Sequence, residues 1–328
     1  MAADMTPPRH AEAFLAACGW QGSAISPLAG DASFRRYFRV KGRRGDAVLM
    51  DAPPPHEDVT PFLAVAEWLR GRGFAAPTIL GTDRATGLVL LEDLGDVRMR
   101  ETVDADPGAE GDVYAAAIDL LLTLRGAGVA EVPPYDRAVY QREAALLVDW
   151  YCPAVGLEVD ADGYRRAWDE ALAIVDDPAP LVTVLRDYHA ENIMLLQEGR
   201  ALGLLDFQDA LAGHAAYDLV SLLQDARREV PEALERAMLE RYLAASGEGD
   251  DFRAAYAVLG AQRNAKIVGI FTRLWQRDGK PKYLTLCPRV WRYLERDLAH
   301  PALAPVAAWF AANIPPALRG DPSQVRAA

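Results

Sequence analysis

The feature that most constrains this chain is the run Arg186-Asp187-Tyr188-His189-Ala190-Glu191-Asn192, followed fourteen residues later by Asp206 at the end of the apolar stretch Leu202-Gly203-Leu204-Leu205. Phosphoryl transfer from a nucleotide needs a carboxylate to orient and deprotonate the acceptor hydroxyl, and oxygen ligands to hold Mg²⁺ on the phosphates. An Asp, an Asn five residues on and a second Asp on a following strand supply that set. Asp187 is therefore expected as the catalytic carboxylate, with Asn192 and Asp206 as metal ligands. Any one of the three taken alone would fit a turn cap. Their joint spacing between two apolar strands carries the reading, and a carboxylate among apolar neighbours is costly unless it meets a cation.

Bulk composition narrows the class. At 328 residues with 51% hydrophobic content, the chain can bury one large core or two moderate ones. Lys plus Arg total 35 against 47 Asp plus Glu, a net of −12, which repels polyanions, and no long basic block offsets it, so a nucleic-acid partner is not expected. Three dispersed cysteines, Cys18, Cys152 and Cys287, show neither a paired framework nor zinc-ligand spacing. With no run of eighteen apolar residues and no signal-peptide pattern at the start, a cytoplasmic, non-membrane protein without an obligate protein partner is expected.

The D-x-x-x-x-N pattern followed by a strand ending in Asp resembles the aminoglycoside phosphotransferase family, relatives of the protein kinases. Leu185 stands where protein kinases have His, and Asp206-Phe207-Gln208 where they have D-F-G. Longer stretches sharpen the resemblance: Gly30-Asp31-Ala32-Ser33-Phe34-Arg35-Arg36-Tyr37, Met50-Asp51-Ala52-Pro53-Pro54, Asp206-Phe207-Gln208-Asp209-Ala210, Tyr217-Asp218-Leu219-Val220-Ser221-Leu222-Leu223 and Gln262-Arg263-Asn264. Together these are similar to the branch of that family that phosphorylates the anomeric hydroxyl of N-acetylmuramic acid and N-acetylglucosamine in cell-wall recycling, and the match spans nearly the whole chain. The resemblance implies an α+β, bilobal, protein-kinase-like fold that uses ATP and Mg²⁺ on a small-molecule sugar. A small antiparallel-sheet lobe with a helix would occupy residues 1–94, with the connector near 91–95, and a larger, mostly helical lobe residues 95–328.

Pattern reading gives the elements. Ile25–Leu28, Phe34–Val40 and Ala47–Met50 read as three antiparallel strands, Thr60-Pro61 opens a helix with Pro at its first position, and Leu88–Leu91 reads as a buried strand. Val113–Leu124, Arg137–Trp150, Ala161–Val175, Pro231–Ala245 and Phe252–Trp275 have helical periodicity. Asn192–Leu196 and Ala201–Leu205 read as short strands around a turn at Gln197–Arg200.

The remaining site candidates carry two readings each. Gly30 and Ser33 lie in a loop that could cover the phosphates or could be an ordinary hairpin turn. The strand that would carry a phosphate-pairing Lys ends in Val48-Leu49-Met50, so Arg36, or failing that Arg35, is the candidate substitute; surface ion pairing is the alternative. Glu92 to Leu94 would meet adenine through main-chain groups. His189 is a candidate for phosphate or acceptor contact or for loop stabilisation, and Asp209 for the sugar. Arg263 on the Phe252 helix either makes an internal ion pair or receives the lactyl carboxylate of N-acetylmuramic acid, while Gln262 and Asn264 are candidates for sugar hydrogen bonds. Trp150 offers a stacking face for a pyranose or packs in the core. Asp218, at an expected helix start, reads as an anchor for the catalytic loop. Other small-molecule kinases (aminoglycoside, choline, homoserine) and a catalytically inactive nucleotide-binding scaffold, suggested by the missing Lys, are the competing functions.

Overall fold

The computed structural model describes residues 6–28, 35–176, 180–196 and 202–326. The candidate loop residues Gly30 and Ser33 and the turn at 197–200 lie outside them. The chain forms two compact units: Met1–Ala105 with Glu191–Ala210, and Asp106–Ala190 with Leu211–Ala328.

In the first unit, α1 (Ala11–Ala17) precedes β1 (Ala24–Pro27), β2 (Arg36–Gly42) and β3 (Gly45–Asp51); α2 (Thr60–Gly71) follows, then β4 (Ile79–Asp83), β5 (Leu88–Glu92) and α3 (Met99–Ala105). The strands form one antiparallel sheet in the order β1-β2-β3-β5-β4. Because side chains alternate along a strand, each face has its own composition. Phe38, Val40, Ala47, Leu49, Leu88 and Leu90 share a face and pack with Ala11, Phe14 and Leu15 of α1. Tyr37 pairs across to Met50, and Met50 to Val89, on the opposite face. Pro61 stands in the first turn of α2, where its missing N–H costs nothing, and Asp58 Oδ1 accepts from Thr60 N at 2.8 Å.

The strands Ile193–Met194 and Gly203–Leu204 pair antiparallel and belong to this first unit. Leu204 N donates to Ala75 O at 2.8 Å and Leu195 N to Val97 O at 2.8 Å. The paired strands, with Asn192 before the first and Asp206 after the second, are thus stitched to the segments flanking β4 and β5, and the first unit takes in residues 95–105 and 191–210 as well as the sheet.

The second unit is mostly helical: α4 (Glu110–Gly126), α5 (Arg137–Ala144), a π-helical turn at Leu147–Tyr151, the short α6 (Cys152–Ala154), α7 (Ala161–Ala171), α8 (Ala216–Leu223), α9 (Glu232–Ser246), α10 (Asp250–Gln276), α11 (Cys287–Asp297) and α12 (Ala304–Asn313). Strands Leu181–Val184 and Leu211–His214 pair antiparallel within it. The helix expected to run unbroken from Arg137 to Trp150 instead changes to i→i+5 bonding at Leu147. Gly269 of α10 explains the close approach there, since a Cβ on it would stand 2.3 Å from the Leu146 carbonyl carbon. Among the described residues, no helix is long and apolar enough to cross a membrane. Cys18, Cys152 and Cys287 are unbonded to one another.

Candidate active site

In the second unit, strand Leu181–Val184 delivers the chain to Asp187, and the loop there is held through its backbone. Asp218, in the first turn of α8 and buried, accepts from Leu185 N at 2.6 Å with Oδ2 and from Arg186 N at 2.8 Å with Oδ1. Ser221, one helical turn on, donates its hydroxyl to Arg186 O at 3.1 Å and accepts from Arg263 Nη2 at 2.8 Å. Arg186 needs these restraints because it is a non-glycine residue at φ +72°, in the left-handed region that its Cβ disfavours. Its side chain pairs with buried Glu143, which also accepts from Tyr135 Oη and from Lys266 Nζ, the latter at 3.0 Å. Tyr188 Oη donates to Ala117 O at 2.8 Å, fixing the next residue to α4.

Asp187 is half-buried. Burial opposes its charge, but His189, Lys266, Arg263 and Arg227 together hold its carboxyl below the usual carboxylate range. It is ionised at neutral pH and can only accept. Burial also pushes His189 down to about 4, with Arg227 adding to the effect. Arg227 Nη1 lies 2.9 Å from His189 Nε2; arginine only donates, so Nε2 accepts and the imidazole proton sits on Nδ1. His189 is 2% exposed. For Asp218, burial raises the carboxyl to about 7 against the pull of the two amides and Arg263.

In the first unit, the paired strands set Asn192 and Asp206 beside each other. Leu205 N donates to Asn192 O at 3.0 Å, and Asn192 Nδ2 reaches Asp206 Oδ2 at 3.4 Å. Asp206 sits at φ +58°, which Asp tolerates better than most side chains, and Gln208 Nε2 donates to its Oδ1 at 2.9 Å. Phe207 is buried and stacks on Phe62 of α2, ring centroids 5.1 Å apart, which ties this segment to the start of that helix. One carboxylate and one carboxamide are hard oxygen donors, the set that suits Mg²⁺, an ion that draws few ligands from protein and the rest from phosphates and water. Among the described residues, no group of three or more His, Cys, Asp or Glu could hold a metal by itself.

The other candidates divide. Arg36 meets Asp51, its cross-strand neighbour, through Nε at 2.9 Å and Nη2 at 2.5 Å, so its guanidinium neutralises a buried acid. The Glu92 carboxylate accepts from Thr78 N at 3.1 Å and Thr78 Oγ1 at 2.5 Å, which locks the end of β5 to the residue before β4. Leu94 is half-buried, its Cδ1 3.0 Å from where a Cβ on Gly203 would stand. Asp209 is exposed and accepts from Gln208 Nε2 at 3.2 Å. Gln262 and Asn264 are fully buried: Gln262 donates to Tyr140 O at 3.0 Å, and Asn264 to Gln224 Oε1 at 2.7 Å and to Asp297 at 3.2 Å. Three consecutive helical residues splay around the axis, so these two point into the core on either side of Arg263. Arg263 is 4% exposed and donates to Ser221 Oγ beneath the loop. Trp150 is half-buried in the π-helical turn, beside fully buried Tyr151. Sequence reasoning missed Ser221 and the Glu143–Lys266–Arg186 cluster; Lys266, one turn beyond Arg263 on α10, was the available signal.

Comparison with known proteins shows the family to which the chain belongs. The chain is 41% identical over 294 residues, 85% of its length and 86% of the relative's, to N-acetylmuramate/N-acetylglucosamine kinase of Pseudomonas aeruginosa. It is 37% identical over 92% of its length and 95% of the relative's to the protein of the same description in Caulobacter vibrioides. Among solved structures, it superposes on a choline/ethanolamine kinase family protein of Mesorhizobium loti with a TM-score of 0.62 at 20% identity, covering 91% of this chain and 98% of that one. Spectinomycin phosphotransferase, solved with ADP and spectinomycin, gives 0.62 at 10% identity over 92% and 99%; both likenesses speak to the fold. The sequence profile of the phosphotransferase enzyme family matches residues 24–257. With a match of that extent and relatives this similar along most of its length, the chain belongs to the phosphotransferase enzyme family.

Proposed function

We propose that this protein transfers the γ-phosphoryl group of ATP to the anomeric C1 hydroxyl of N-acetylmuramic acid, N-acetylglucosamine or both, giving the sugar 1-phosphate in the recycling of cell-wall sugars. The observation that carries the substrate is the likeness, at 37–41% identity over 85–92% of the chain, to kinases described by those two sugars. Asp187 orients the C1 hydroxyl and takes its proton as the oxygen attacks the γ-phosphorus; the bond to the β-phosphate oxygen breaks and ADP leaves. An acid held below its usual range is a weak base. It suits a loose transition state in which orientation and charge stabilisation matter more than early proton removal. Asn192 and Asp206 are the residues that would hold Mg²⁺, which when bound neutralises charge building on the β- and γ-phosphate oxygens.

The test is to incubate purified protein with Mg-ATP and, separately, N-acetylmuramic acid, N-acetylglucosamine, an aminoglycoside and choline, and to locate the phosphate by ³¹P and ¹³C NMR. Phosphorylation at C1 of either sugar is expected. Turnover confined to an aminoglycoside or choline rejects the sugar assignment, and no turnover with any acceptor rejects the enzyme. Asp187→Asn should lower kcat at least a thousandfold while leaving ATP affinity within a few-fold. Asp206→Ala should instead raise the Mg²⁺ concentration needed for half-maximal rate.

A further inference from the structure

A kinase that lacks a lysine on β3 must neutralise its phosphates by other means, and the first unit narrows where that charge resides. Met50, at the end of β3, is 1% exposed and faces the side of the sheet shared by Tyr37 and Val89. Alternation along β2 puts Arg36 on the other side, where Asp51 engages it. Arg35 stands immediately before β2, and Tyr37 is among the groups that act on its charge. Arg39 shares the Tyr37–Met50 side but is consumed by two acids at the connector, Asp93 at 2.7 Å and Asp96 at 2.7 Å. Arg35 is held differently. Its Nε donates to Glu57 Oε2 at 2.9 Å, both side chains being 13% exposed, and Glu57 stands just ahead of α2, whose Phe62 stacks on Phe207 in the Asp206–Asp209 segment. Tyr37, Glu57 and Asp209 together raise the Arg35 pKa in spite of burial, so the charge is permanent and Asp209 lies within its electrostatic reach.

We propose that Arg35, oriented by Glu57, is the cation that meets the β- and γ-phosphates in this protein, a relocated equivalent of a lysine–glutamate pair. A guanidinium fixed at Nε keeps its plane constant, which suits bidentate contact with phosphate oxygens, whereas a lysine at position 50 would act as a point charge. This inference rests on the reading of the protein as an ATP-dependent kinase but not on the identity of its acceptor.

The experiment is isothermal titration of wild type, Arg35→Met and Arg35→Gln with Mg-ADP and, separately, with AMP, in the absence of any sugar. Loss of Mg-ADP affinity of tenfold or more in either variant, with AMP affinity within twofold of wild type, is expected. Gln keeps a donor for Glu57, so it preserves the local fold if Met does not, and a thermal melt identifies the folded variants. Unchanged Mg-ADP affinity, or equal losses for ADP and AMP, overturns the proposal. Because no acceptor is present, failure of the sugar assignment leaves this readout intact. A wild type that binds neither nucleotide overturns the kinase reading and this inference together.

Discussion

Asp218→Asn tests whether the catalytic loop is positioned through its backbone. The wild-type carboxylate serves two amides, Leu185 N at 2.6 Å and Arg186 N at 2.8 Å. A carboxamide offers one acceptor oxygen, so one buried N–H would face an NH₂ group instead. Losing a hydrogen bond to a charged group costs about 1.5–3 kcal/mol, and stranding a buried donor costs about 1–3 kcal/mol. Part of this is offset, because burial already penalises the carboxylate, whose pKa it raises to about 7. We expect a net loss of about 2 kcal/mol in urea unfolding. The effect on rate should be larger than the effect on stability: Arg186 at φ +72° relaxes once a restraint goes, and Asp187 moves with it. A shift on the order of 1 Å lowers kcat by roughly a hundredfold. Ser221→Ala, which removes the hydroxyl at Arg186 O, should act in the same direction, and the double variant should lose less than the sum because both restraints hold one residue. Steady-state kinetics with ATP, alongside Mg-ADP titration, separate the outcomes. If Asp218→Asn keeps kcat within twofold and stability within about 0.5 kcal/mol, a value inside the ordinary spread for surface changes, the anchoring role is refuted.

Three further predictions concern other parts of the molecule. Arg36→Met should destabilise the first unit by about 2 kcal/mol, below the roughly 3–5 of a fully buried pair because Arg36 is about a quarter exposed, and should leave Mg-ADP affinity within twofold; an ADP-specific loss there would return the phosphate role to Arg36. Gly269→Ala should cost about 1–3 kcal/mol by overpacking, since the added Cβ would stand 2.3 Å from Leu146 backbone; a neutral urea midpoint would contradict the close approach. His214, pushed by burial to about 4 from an ordinary 6.5, is protonated in the unfolded chain first, so its contribution is complete above 6.5 and is lost as pH falls toward 4. Wild type should therefore lose about 2 kcal/mol relative to His214→Asn between pH 7 and pH 5, the Asn oxygen replacing Nδ1 as acceptor for Ala216 N. Comparing the two proteins cancels the opposite drift from Asp218, whose raised carboxyl favours the folded state as pH falls; parallel pH profiles would refute the assignment.

What was legible in the sequence follows from which interactions are local. Alternation along Phe34–Val40 and Ala47–Met50 located β2 and β3 to within about two residues, because period-two burial is written along each strand. Pro61 marked the start of α2 for the same reason. Asn192 and Asp206 could be placed beside each other from the sequence because the apolar segments next to them read as short strands, and these pair antiparallel. Cross-strand partners are not local. Alternation put Arg36 on the face it occupies, but only the pairing of β2 with β3 sets Asp51 opposite it. On α10, an apolar stripe is an incomplete guide, since most of this 27-residue helix is buried around its circumference. Gln262 and Asn264 consequently find their partners in the core, at Tyr140, Gln224 and Asp297, each reached from a distant part of the chain.

The catalytic loop shows why some functional residues escape a spacing pattern altogether. A side chain that touches substrate must be of one chemical type at one place, and such residues cluster in short motifs. A residue that restrains a backbone amide or carbonyl can come from any element that passes nearby. Here Asp218 and Ser221 come from α8 and Arg263 from α10, and they converge on residues 185 and 186. Their separation of one helical turn on α8 is what lets Asp218 take the amides while Ser221 takes the carbonyl of the same residue. Asp218 and Ser221 sit together in the segment Tyr217–Leu223, yet only Asp218 drew notice, because a carboxylate at a helix start has an obvious use. Ser221 acquires its use only when Arg263, 42 residues on, supplies the donor that turns the hydroxyl proton toward Arg186.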